Sequence, residues 1–419
     1  MELFQQLGAE VEALWLEKNY NEENLPAIAA DALRRADLPS KLSAWDVIAW
    51  SLKQKELPPQ RDLHGNFGDP PITIYSGPRF HVDVYFWFDG TTAIHQHGFC
   101  GAFQVLLGSS IHSWYEFERH EVVNTFCETG EMSLKLCELL EVGDVQEILP
   151  GRQYIHALFH LEQPSATIVV RTDKSPLHQP QFSYHKPSLA IDPFFEQSTT
   201  TKKIQTMSAL IRAKRPDADA LITEYLETSD LQTTFLILMR LRGMLRADAL
   251  KQLFNLDSPR SRFDAFLDVV ERRHGQAGEV FRPIFQRFDM IDEIVMRRGY
   301  VTDPEHRFFM ALLMNVEGRE RIFSLIKQRF KDIDPVEKVL DWVFDLAQTR
   351  VVGVDNSNAL GIPDFGETEM FVLENLLNGK SDAEIEKAYS EVNPSADIAE
   401  VTEAMAKIRG AVLFRPLLA

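Results

Sequence analysis

Histidines supply the first chemistry in this chain. His95 and His97 stand one residue apart in Ile94-His95-Gln96-His97, and His156 follows Leu149-Pro150-Gly151 much further on. On a strand, alternate side chains share a face, so the first two imidazoles point the same way. A third from a distant strand closes on the same point only if the sheet curls into a barrel. Three imidazoles on one point make a site for a divalent transition metal. The competing reading of a lone His-x-His is a satisfied buried histidine beside a surface one. The aromatic strand before the pair, the glycines after it and the turn–strand–turn frame before His156 favour the metal.

Strands are needed to hold these residues, and residues 61–180 provide them. Turn signals stand at Gly65, Gly68, Pro70-Pro71, Gly77-Pro78, Asp89-Gly90 and Gly143-Asp144. Between them lie short runs rich in Val, Ile, Phe, Tyr and Trp, at 80–88, 93–97, 103–107, 111–117, 134–140, 146–149 and 165–171. Many short strands at regular spacing predict a β-sandwich or barrel. Residues before and after read as helices. Phe4, Leu7, Val11 and Leu14 form one apolar face, a second pattern covers 23–35, and Ser43 is an N-cap for a third helix. Pro176, Pro180, Pro187 and Pro193 mark extended structure, after which helical periodicity runs to the C-terminus without a fixed repeat. The expected organisation is a helical segment at 1–60, a barrel at 61–175, an extended linker at 176–202, a helical domain at 203–352 and a small helical unit at 353–419. Ala247–Asn255 and Ala396–Arg409 are among the helices expected there.

Composition narrows the function classes. The chain has 419 residues, 45% hydrophobic and 25% charged, which fits a soluble protein of two or three domains. Its net charge of -18 disfavours nucleic acid as a partner. Three cysteines without regular spacing give no disulfide framework. The acidic N-terminus is no secretory signal, and no apolar run is long enough to span a bilayer. A cytoplasmic protein without a membrane partner is expected.

The paired motifs resemble the cupin family. Its first motif is a glycine, two histidines one residue apart, a glutamate four or five positions on, and a closing glycine. Gly90, His95, His97 and Gly108 match it, and Gly143, Pro150-Gly151 and His156 match the outline of the second motif, over about residues 72–172. The glutamate is missing: Gly101 and Ala102 stand in its place. Within the family this looks most like the three-histidine thiol dioxygenases, the cysteine dioxygenase group. Val82 to Gly90 and Phe103 to Leu107 also look like that group. The resemblance implies an antiparallel barrel (jelly roll), ferrous iron on His95, His97 and His156, and dioxygen as co-substrate. A site without a carboxylate ligand keeps its full positive charge and favours an anionic substrate. A second departure weighs against cysteine itself. The group's Ser-x-His-x-Tyr run is here Ser165-Ala166-Thr167-Ile168-Val169, with only the serine kept.

Other residues follow from parity and from the resemblance. If the barrel lining continues through Ala102, Gln104 and Leu106, Gln104 bonds a metal-bound ligand; otherwise it is a buried amide satisfied by backbone. Tyr154 shares a face with His156 and has a route to the cavity as a catalytic group. His81, Asp83, Tyr85 and Trp87 share a strand face, either a functional lining with Tyr85 at the substrate or an outer polar face. Arg79 and Arg171 flank the barrel, and the resemblance invites either to clamp a substrate carboxylate. Cys100 is a redox group near the substrate or a small buried thiol. His112, His120 and His160 have no partner spacing and read as structural.

The C-terminal region offers no catalytic motif. Its last part runs helix, turn, Ser381-capped helix and faintly resembles small winged-helix units; a homodimer or protein contact is the role expected of the helical domain. The fold class expected is multidomain α and β: a cupin-type antiparallel β-barrel with N-terminal helices and a large all-α C-terminal domain. The leading function is a non-haem Fe(II) dioxygenase acting on a small thiol or carboxylate. The alternatives are a non-redox isomerase or lyase using Zn, Mn or Ni, and a non-enzymatic metal or ligand sensor.

Overall fold

The computed structural model describes the chain except residues 62, 64–67, 89–92, 250–258, 350–357, 395–396 and 419. The turn expected at Asp89-Gly90, the glycines Gly65 and Gly90, most of the Ala247–Asn255 helix and the start of the 353 boundary fall outside the described residues.

Among the described residues eleven strands are formed: β1 (Pro71–Ser76), β2 (Phe80–Trp87), β3 (Ile94–His97), β4 (Gly101–Leu107), β5 (Ser110–Asn124), β6 (Cys127–Leu140), β7 (Val145–Ile148), β8 (Gly151–His160), β9 (Ser165–Thr172), β10 (Ser183–His185) and β11 (Leu189–Ile191). All pairings are antiparallel. One sheet has the order β1-β2-β9-β4-β7, and the other closes on itself as β10-β11-β6-β5-β8-β3. The segment read as an extended linker supplies β10 and β11. β10 pairs with β3 and β11 with β6, so this proline-rich stretch closes the barrel. Its prolines hid the strands because each is only three residues long and lies between them. Pro71 was read as a turn and instead opens β1, an edge strand, where proline is tolerated.

Both outer faces are covered. Helices α1 (Glu2–Glu17), α2 (Leu25–Ala36) and α3 (Ala44–Lys53) bury Phe4, Leu7, Val11, Trp15 and Leu33 against Val82, Val84, Phe86, Ala102, Leu106, Ile168 and Val170. Each large side chain buried this way stabilises the fold by about 1.5–3 kcal/mol before entropy is counted. Ser43 starts α3 with a capping box to Asp46. After β11 come α4 (Ser198–Arg212), α5 (Ala218–Leu226), α6 (Leu231–Ala249) and further helices to the C-terminus. These cover the second sheet through Ile111, Leu139 and Phe159 on one side and Cys127, Leu189 and Ile191 on the other. The architecture is therefore the expected one: an antiparallel β-barrel flanked by N-terminal helices and, among the described residues, a large all-α C-terminal region. The Ser381–Glu384 capping box is present. Among the described residues no strand follows Ile191, so the last three-helix unit lacks the wing its outline suggested. No helix among the described residues is long and apolar enough to cross a membrane.

Candidate metal centre

β3 and β8 are hydrogen-bonded neighbours, and His95 lies directly opposite His156. Opposed residues hold their Cβ atoms about 5 Å apart, which brings the third imidazole to the first two. Within the closed barrel β8, distant in sequence, lies beside β3, and this neighbour pairing brings the three imidazoles together. The three ligating atoms lie within 4.8 Å of one another. His95 Nε2 is 3.1 Å from His97 Nε2. His95 Nδ1 donates to the Ala93 carbonyl at 2.7 Å, which turns its Nε2 lone pair inward. His97 Nδ1 and both ring nitrogens of His156 are buried without a hydrogen-bond partner.

These features fit a metal ion. Two nitrogens each about 2.1 Å from one ion sit about 3.0 Å apart at a right angle and about 3.4 Å apart in a tetrahedron; the His95–His97 spacing of 3.1 Å falls between. Burial pushes all three imidazoles below their ordinary range, His97 and His156 furthest. Arg171 and His95 add to the effect at His97, and His95, His97 and His112 at His156. All three are therefore neutral, the form that binds metal. Among the described residues no carboxylate joins the cluster. The position of the absent glutamate explains why. A Cβ on Gly101 would sit 1.9 Å from the Val170 carbonyl oxygen of β9, and Ala102 faces the N-terminal helices.

The opposite wall comes from β2, β4 and β9. Tyr85, Trp87, Phe99, Phe103, Thr167, Val169 and Arg171 enclose the histidines, with Ile148 and Leu158, in a cavity of about 30 Å³. That is room for two or three waters at most. The Arg171 guanidinium lies 3.5 Å from the Phe99 ring centre, and its Nη1 is 3.5 Å from the Tyr85 hydroxyl. No carboxylate lies within ion-pair distance of Arg171 among the described residues. Tyr85 donates to Asp83 at 3.0 Å, and Asp83 also accepts from Thr73 at 2.8 Å and pairs with His81 at 3.1 Å. Burial raises the Asp83 pKa, but His81, Thr73 and Arg171 outweigh it and hold the carboxyl below its usual range. Burial pushes the Tyr85 hydroxyl well up, so it stays protonated. The face His81–Trp87 is thus the lining rather than the outer polar face.

Tyr154 shares the face of His156, with ring centres 4.3 Å apart. Its hydroxyl bonds His112 Nε2 at 2.9 Å, and His112 Nδ1 bonds Glu138 at 2.9 Å. Tyr154 is thus anchored away from the cavity. His112, read as structural, packs on His156 at 5.5 Å between ring centres. The β5–β8 register, which placed it there, was not readable from spacing. His160 stacks on Trp87 at 4.6 Å and bonds Ser165 at 2.8 Å. Gln104 does not reach the site: its amide donates to the Gly143 carbonyl at 3.1 Å. Parity failed across the Gly98–Cys100 turn. Phe103 and Val105 face inward, while Ala102 and Leu106 face α1–α3. Cys100 sits in that same outer layer, its Sγ 3.5 Å from the Glu22 carbonyl, and burial raises its thiol to about 12. Arg79 is exposed and lies over the Tyr20 ring at 4.2 Å, away from the cavity.

No family model and no curated protein matches the chain. Among solved structures it is similar to a cupin-2 domain containing protein from Shewanella frigidimarina, at 12% identity over 32% of this chain and 97% of that one, with a TM-score of 0.19. A cupin 2 domain-containing protein from Halorhodospira halophila matches at 15% identity over 26% and 67%, with a TM-score of 0.18. A protein with a double-stranded β-helix domain from Klebsiella pneumoniae matches at 13% identity over 32% and 90%, also at 0.18. Likeness at these values assigns no function. The barrel itself, with its possible three-histidine metal site, stands on its strand order and side chains.

Proposed function

We propose that this protein is a metal-dependent oxidoreductase, a non-haem Fe(II) dioxygenase acting on a small anionic substrate. One observation carries the reading: three neutral imidazoles, with ring nitrogens of His97 and His156 unpartnered, face an arginine that has no carboxylate partner among the described residues, inside one cavity. His95, His97 and His156 would hold the metal. A ferrous ion there would supply adjacent positions at which an anionic substrate and dioxygen bind and exchange electrons.

The remaining steps belong to the chain. Arg171 attracts a carboxylate or thiolate and orients it by charge-assisted hydrogen bonds. Tyr85, with its proton committed to Asp83, accepts from Arg171 and so holds the guanidinium in place. Phe99, Phe103, Ile148, Leu158 and Val169 exclude water and keep the field of Arg171 unscreened. Thr167 and Val169 stand where a histidine and tyrosine are found in the thiol dioxygenases, so the substrate is a small thiol or acid other than cysteine.

The test is oxygen uptake by the iron-loaded protein with a panel of small thiols and carboxylates. Uptake with at least one member, lost in His156→Ala, supports the reading. Tight zinc, manganese or nickel with no oxygen uptake from any member refutes it.

A further inference from the structure

A second cavity shares no lining residue with the histidine site and lies between α4, α6 and the segment that precedes α4. It encloses about 350 Å³, within the range of small-ligand sites. Gln232, Leu236 and Arg240 line it at four-residue intervals, one face of α6, with about 12 Å of helix between the first and the last. Ile204 and Phe195 supply an apolar wall across from Leu236.

Gln232 is the informative residue. It is 3% exposed. Its Oε1 accepts from the Asn124 amide at 3.0 Å, and its Nε2 has no hydrogen-bond partner. The amide orientation is fixed, because Asn124 uses its own oxygen to accept from the Phe126 N–H at 2.7 Å and so presents only its NH2 to Gln232. A buried amide donor without an acceptor is costly, and a ligand oxygen that reaches it from the adjoining cavity relieves the cost. Two turns along the same face, Arg240 is exposed and makes only a 3.5 Å contact to the Ser208 hydroxyl. No carboxylate pairs with it among the described residues. Glu196, also in the lining, is exposed and forms no ion pair with it.

We propose that this cavity binds a small organic acid whose carboxylate meets Arg240, whose apolar body lies along Leu236, Ile204 and Phe195, and whose carbonyl oxygen accepts from Gln232. The site is independent of the metal centre and stands whatever the barrel catalyses.

The probe is 6-oxoheptanoate, with heptanoate and the 6-oxoheptanoate methyl ester as partners lacking the carbonyl or the charge. Binding is followed by ligand-observed NMR on the full chain. The oxo acid is expected to saturate at about 1 mM, the affinity normal for ten heavy atoms. Heptanoate and the ester should each bind about fivefold more weakly. Gln232→Met, which removes the donor at similar volume, should erase the preference over heptanoate. Arg240→Gln, at an exposed position, should erase the preference over the ester and guards against a folding defect in the first variant. His156→Ala should leave all three affinities unchanged, which separates failure here from failure of the dioxygenase reading. No saturation up to about 10 mM, or preferences that persist in both variants, would overturn the proposal.

Discussion

The two walls of the metal cavity solve opposite electrostatic problems. The wall built by β3 and β8 gathers three neutral imidazoles with few hydrogen bonds to hold them: of their nitrogens, three have no partner. The wall built by β2 and β9 gathers charge and ties it down through Arg171, Tyr85, Asp83, Thr73 and His81. A wall that lacks partners is one an ion completes, whereas a wall already bonded is pre-organised to orient a ligand. On the proposed function, the comparison assigns the metal to the closing sheet and the anionic substrate to the five-stranded sheet.

The largest effect that would break this division is at a ligand. His97→Ala should weaken metal binding by more than about 100-fold, exceeding the usual loss from a mere supporting residue. A smaller loss, measured by competition with a chelator, would place the metal elsewhere.

A pH effect comes next, where the walls touch. His160 of β8 stacks on Trp87 of β2, and burial lowers its pKa to about 3. The folded state therefore binds fewer protons than the unfolded one between the free histidine value and that point. Stability should fall as pH drops through this window. Denaturant melts at pH 6.5 and pH 4 should show wild type losing about 3 kcal/mol more than His160→Phe. Buried His185, lowered to about 4, titrates in both proteins and cancels. Equal losses would mean that His160 is open to water.

On the anion-binding wall, Arg171→Gln should cut the affinity of the metal-loaded protein for a small thiol acid such as mercaptoacetate about 30-fold, with metal content unchanged. If metal is lost as well, the two walls are not separable. Tyr85→Phe should be the mildest, about threefold on the same affinity, because Asp83 keeps Thr73 and His81. A loss as large as that of Arg171→Gln would make the hydroxyl a direct anchor.

The same contrast explains what the sequence revealed. His95, His97 and His156 were legible because ligand chemistry needs particular residue types near particular turns. Tyr85 and Arg171 lie in the cavity, but nothing in their spacing separated Arg171 from Arg79, which points to Tyr20. That distinction depends on the β2–β9 register, a long-range fact. Gln104 and Cys100 were misplaced because strand parity does not survive an intervening turn, and the inward positions of β4 shift to Phe103 and Val105. His112 read as structural because its place beside His156 depends on the β5–β8 register, another long-range fact. The helices and most strands were legible from periodicity, whereas β10 and β11 were masked by the prolines around them.

The most direct test is elemental analysis of protein purified without oxygen. The account requires about one equivalent of iron per chain, bound by wild type and absent from His156→Ala. A full complement of iron retained by the variant, or no metal in wild type after ferrous reconstitution, would contradict it.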